Sequence, residues 1–164
     1  MKQLRTAIAV CVLAAISMVG SAGADQSASD TAMPHMLIEV PSPLGFEETL
    51  ERLEANAKDL LWKVPKKWGV DFQKNLMNVT DVDIGPNRVL KMCEPFAAVK
   101  LLQKDEYKML TAMMPCTIAV YQKSDGKTYV AMMNLALMGK MYGGDVAVMA
   151  DELAPQMQKM LTFD

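Results

Sequence analysis

The sequence predicts one domain of mixed strands and helices behind an export leader. Three observations carry this. A short apolar run, Met36 to Val40, is halted by Pro41 and Pro43; the period turns helical from Phe46; and two strand-like runs are joined through Asp125-Gly126. Period-two alternation and period-3.6 recurrence separate the two kinds of element in a lone chain.

Residues 1–24 read as a secretory signal. Lys2 and Arg5 give the positive start, Thr6 to Gly20 is apolar or small, and Ala22-Gly23-Ala24 is a cleavage site. The expected location after cleavage near Ala24 is the periplasm or the medium. The apolar run is shorter than the ~20 residues that a membrane span needs, and nothing downstream replaces it, so no membrane span and a soluble mature chain are expected. Cys11 follows Val10 inside that run, not the small residue that lipidation requires, and leaves with the signal. Residues 25–32 are small, polar and aperiodic, a flexible leader. The rest, 33–164, is the length of one ordinary domain. The net charge is −2, more acidic once Lys2 and Arg5 are removed. Only Lys63, Lys66 and Lys67 cluster, too few for a phosphate track, so no nucleic-acid partner is expected.

Met36 to Val40 suits a first strand. From Phe46, the residues Phe46, Leu50, Leu53 and Ala57 share one helical face, and Glu47, Glu48, Glu51, Arg52, Glu54 and Lys58 fill the other. Glutamates in the first turn match the positive end of the helix dipole. Leu60 to Val64, with Trp62 and a stop at Pro65, reads as a second strand. Gly69 to Met77 reads as a short helix, followed by a loop through Asp81, Asp83, Gly85 and Pro86. Arg88 to Cys93 is strand-like. Pro95 then opens a helix, where its missing N–H costs nothing, with Phe96, Val99 and Leu102 as an apolar face beside Ala98 and Leu101. Thr117 to Tyr121 and Thr128 to Met133 form a hairpin around Asp125-Gly126. Leu135 to Gly144 holds three glycines, and Gly139 to Gly144 reads as a flexible turn, too far from Gly-x-Gly-x-x-Gly or Gly-Lys-Ser/Thr for a phosphate loop. Asp145 caps a last helix, which Pro155 kinks or breaks.

Sulfur is the unusual chemistry. The chain has 16 methionines and three cysteines, and both cysteines left after the signal sit beside proline, as Cys93-Glu94-Pro95 and Met114-Pro115-Cys116. An even count in an exported chain allows a Cys93–Cys116 disulfide; a helix of ~12 residues between them would travel ~18 Å, against the ~7 Å that bridged Cα atoms allow, so two separate thiols are the expectation, with the bridge as the alternative. Thioether and thiolate together select Cu(I). The candidate ligands are Cys116, Met113, Met114, Met133, Met138 and Met141, with core packing as the plainer role of each methionine. Cys93 and Cys116 are the candidate redox thiols, with Glu94 a weak candidate base. His35 is the sole histidine and stands at the start of the domain, where exposure is the plain expectation. With no HExxH, no Cys-x-x-Cys and no second histidine, hydrolase triads and covalent haem are not expected. Asn78-Val79-Thr80 is formally a glycosylation acceptor.

From Phe46 onwards the chain resembles the domain of unknown function 302 family. The matching pieces are Trp62-Lys63-Val64-Pro65, Leu90-Lys91-Met92-Cys93-Glu94-Pro95, Met114-Pro115-Cys116, Val120-Tyr121 ahead of Asp125-Gly126-Lys127, and the stretch from Met133 to Gly144. The resemblance implies a two-layer α+β domain, helices packed on one face of a mainly antiparallel sheet, related to the TATA-binding-protein-like fold. It also implies a homodimer, and it brings no established activity. The expected function is a non-enzymatic exported binding module, with copper or haem as guest and a redox or metal-exchange partner in the periplasm. The rivals are thiol redox or sulfur transfer through Cys93 or Cys116, and a dimeric interaction domain without a ligand.

Overall fold

A computed structural model describes residues 35–163, all within the compact unit Ala32–Asp164. The signal and the leader assigned above lie outside the described residues. Elements follow in the order β1 (Leu37–Pro41), α1 (Phe46–Asp59), β2 (Val70–Asp71), α2 (Phe72–Thr80), β3 (Asn87–Met92), α3 (Pro95–Leu102), β4 (Cys116–Gln122), β5 (Thr128–Met133), α4 (Leu135–Tyr142) and α5 (Gly144–Met160), with 3-10 turns at Lys66–Trp68 and Asp105–Met113. The strands form one antiparallel sheet in the order β1-β5-β4-β3-β2, with the helices on one side: the α+β class that the resemblance implied.

The hairpin forms because Gly126 adopts a left-handed φ of 75° and the Asp125 carboxylate accepts the Lys127 N–H at 2.9 Å. Its strands alternate cleanly. Ile118 and Val120 on β4, Val130 and Met132 on β5 and Met92 on β3 are buried towards the helices, whereas Ala119, Tyr121, Tyr129 and Ala131 face outwards. Leu50, Leu53 and Ala57 of α1 and Val146, Ala150, Leu153, Met157 and Met160 of α5 close over the inner face. Polar contacts lock the layers. Ser42 Oγ and Thr49 Oγ1, both buried, meet at 2.7 Å between the end of β1 and α1. Asn56 donates to the carbonyls of Met160 and Thr162, satisfying the C-terminus of α5.

Four local expectations are corrected. Leu60 to Val64 is no strand: Leu61 takes a φ of 65°, and only Lys63 makes a β-bridge, to Cys93. Trp62 is instead a core residue at 2 % exposure, its indole N–H donating to Gln156 at 2.9 Å. On α3 Leu101 is buried as expected, together with Ala97, but Phe96 and Val99 are 77 % and 61 % exposed, so that part of the expected face points outwards. The glycine-bearing segment is not a turn but helix α4. A Cβ on Gly139 would stand 2.5 Å from the Ala150 Cβ, so the glycine lets α4 and α5 approach closely. Finally, of the kink or break expected at Pro155, the break is absent, since α5 runs on from Gly144 to Met160.

Candidate functional site

A cavity of about 390 Å³ lies where β3 ends and β4 begins. Its walls include Cys116 and Met132 from the inner face of the sheet, Lys91, Thr117, Ala119 and Ala131 from the outer face, and Trp62, Leu135, Met138, Val146, Met149, Leu153 and Met157 from the helical layer and its approach. It therefore reaches both faces at the strand ends. Seven methionines and both cysteines take part.

Chain reversal brings these together. Glu94 caps α3 by accepting the N–H groups of Phe96 at 3.2 Å and Ala97 at 2.5 Å, and Pro95 occupies the first turn. The 3-10 segment Asp105–Met113 then returns the chain, and a cis Met114-Pro115 peptide delivers it into β4. As a result Cys116 pairs directly with Met92. The span argument that kept the cysteines apart fails here, because the return leg cancels the rise of the helix. Both are nonetheless free thiols. Cys116 lies on the inner face with Met92 and packs on the core, whereas Cys93 stands just past the end of β3 and bridges Lys63.

Five of the six candidate ligands, Cys116, Met113, Met114, Met133 and Met138, line this cavity. Met132 and Met138 belong to one buried cluster, against which Met113, Cys116 and Met133 pack; Met113 also packs with Met114 against a second cluster around Leu101, Leu110 and Val146. Met141 is not part of the wall and is 62 % exposed, because the buried residues of α4 are Leu135, Met138 and Gly139 and the last turn leaves the packed layer. His35 is exposed and is not among the residues that line the cavity. Met149 and Met157 were not singled out in the sequence; their spacing on α5 looks like ordinary core.

Burial pushes the Cys116 thiol up to about 11, the neighbouring Cys93 adding to the effect. The Cys93 thiol is also raised, by burial first and then by the charge of Glu94. Both thiols are thus held neutral at ordinary pH, the reverse of the lowered value that marks an activated thiolate, and the electrostatics give no support to redox chemistry. Among the described residues no group of three His, Cys, Asp or Glu side chains is placed to hold a metal ion, and no helix is long and apolar enough to cross a membrane.

Fold and cavity together define a two-layer α+β domain with a sulfur-lined hollow at the strand ends. The family model described as "Domain of unknown function DUF302" matches residues 38–163, and the chain belongs to that family. A similar solved structure is the crystal structure of an uncharacterized conserved protein DUF302 from Bacillus stearothermophilus, 24 % identical, covering 77 % of this chain and 95 % of that one with a TM-score of 0.66. It agrees in fold. No curated protein matches the chain.

Proposed function

We propose that this chain is an exported, non-enzymatic binding module whose sulfur-lined cavity holds a soft metal ion, Cu(I), through Cys116, whose thiol gives up its proton as the metal binds, and thioethers drawn from Met113, Met114 and Met138. One observation carries this reading: five of the six sulfur residues singled out by composition and spacing meet in one reachable hollow. Thiolate and thioether are the donors that favour Cu(I) over harder ions. One thiolate also neutralises Cu(I), which suits an apolar wall where an uncompensated charge is costly. Haem is less well supported, since the cavity wall carries no histidine.

Competitive titration of purified protein with Cu(I) and a chelator tests the reading. Affinity should fall at least tenfold in a Cys116→Ser, Met114→Leu variant, with far-UV circular dichroism confirming an intact fold. Unchanged affinity removes the proposed site. Export is supported by the leader sequence, and a homodimer by the family resemblance together with the exposed apolar residues Phe72, Leu76, Met77 and Val79 of α2. Sedimentation of the wild type as a monomer at all concentrations would remove the dimer.

A further inference from the structure

The outward end of the cavity holds polar groups that a sulfur site does not use. Register sets Lys91 directly across from Thr117 on β3 and β4, and sets Ala119 across from Ala131 in the adjoining row. All four line the cavity. The paired alanines make a low apolar floor, and Lys91 and Thr117 border it on the same sheet face. Directly opposed side chains on one face have Cβ atoms ~4.5–5.5 Å apart, a spacing that one carboxylate can bridge.

Charge balance selects the ligand. Lys91 is the one cation of the cavity wall and Glu94 the one acid. Both Glu94 oxygens are already engaged by the amides that open α3. Among the described residues no ion pair reaches Lys91: the described bridges belong to Lys58, Arg88, Lys100, Lys104, Lys108 and Lys123. A lysine without an ion pair, set opposite a threonine on the wall of an apolar hollow, is complementary to an anion with a hydrocarbon tail, and 390 Å³ falls within the range of small-molecule sites.

We propose that this end of the cavity binds a monoanionic amphiphile, a medium-chain carboxylate, with its head between Lys91 Nζ and Thr117 Oγ1 and its chain over Ala119 and Ala131. The proposal rests on reading the cavity as a binding site, and not on Cu(I) as its guest. Calorimetric titration of the full chain with decanoate, decanol and decyltrimethylammonium, each below its micelle threshold, tests it. Decanoate should bind roughly tenfold or more tighter than decanol, since a hydrogen bond to a charged group outweighs a neutral one, and the cationic probe should be weakest. Lys91→Leu should abolish the preference for decanoate while keeping decanol binding, and Thr117→Val should weaken decanoate several-fold. The proposal is overturned if wild type does not prefer decanoate, if Lys91→Leu keeps the preference, or if no probe binds while Cu(I) does. Decanoate selectivity without Cu(I) binding would uphold it and remove the sulfur reading instead.

Discussion

Gly139 offers the sharpest test of how the helical layer is built, because two opposing effects act on one methyl group. A Cβ there would meet the Ala150 Cβ at 2.5 Å and the Ala147 Cα at 3.2 Å, against a favourable carbon separation of ~3.5–4.0 Å. The helices must then part by roughly 1 Å. Gly139 sits inside α4 with no left-handed φ, so alanine would gain ~1 kcal/mol of helix propensity. Overpacking costs ~1–3 kcal/mol, and the upper end applies because the Ala147 Cα is backbone and cannot rotate away. Gly139→Ala should therefore destabilise by about 1–2 kcal/mol net. Urea unfolding should show a lower midpoint at an unchanged m-value. Adding Ala150→Gly removes the opposing methyl, so the double-mutant cycle should show a coupling of about 1 kcal/mol or more. A Gly139→Ala protein as stable as wild type, or strictly additive effects, would refute the close-approach argument.

Two further outcomes follow from the cavity wall. The Cys116 thiol is raised from 9.0 to about 11, so its neutral form is the one the fold favours. Its contribution is intact below pH 9 and lost as the pH climbs to 11, at most about 3 kcal/mol. Unfolding curves of wild type and Cys116→Ala should diverge over that window, wild type losing more, whereas parallel curves would contradict the burial argument. Glu94→Gln keeps the size of the α3 cap but removes its charge, so the Cys93 thiol should titrate lower, because burial and then the Glu94 charge hold it up. Glu94→Ala should cost ~1 kcal/mol through loss of the cap. An unmoved Cys93 titration would show that Glu94 does not reach the thiol.

Elements whose signal is local were legible. Phe46 to Ala57 repeats at helical spacing and faces a core, and Asp125-Gly126 supplies the one turn that its flanking strands need; both appear as read. Features set by a distant partner were not. Trp62 looks like a strand residue but is placed by the bond to Gln156, far along the chain. Gly139 looks like a turn glycine until α5 supplies Ala150 as its neighbour. The α3 face was read only in part: Leu101 packs as expected, but small Ala97 takes the rest of the interior and Phe96 is left outside. In the candidate site, composition pointed to sulfur, but which methionines converge depends on the return leg through the 3-10 segment, whose weak periodicity carries no such information.

A cavity of this size has an energetic consequence that bears on function. Were the 390 Å³ a closed dry void, a cost of ~24 cal/mol per Å³ would amount to about 9 kcal/mol. That rivals the ~5–15 kcal/mol by which a whole domain is stable, so the hollow is either wet or filled. The exposure of Leu37, Ala112 and Thr117 on its wall opens it to water. Water inside finds few side-chain partners beyond Lys91, Glu94, Thr117 and the two thiols, and Glu94 is already engaged. Poorly held water is favourably displaced by an apolar or soft guest. Methionine walls fit that exchange, since an unbranched thioether repacks around a guest without leaving its preferred rotamers. The methionine excess is then the means by which a mostly apolar hollow stays adaptable beside a well-packed sheet.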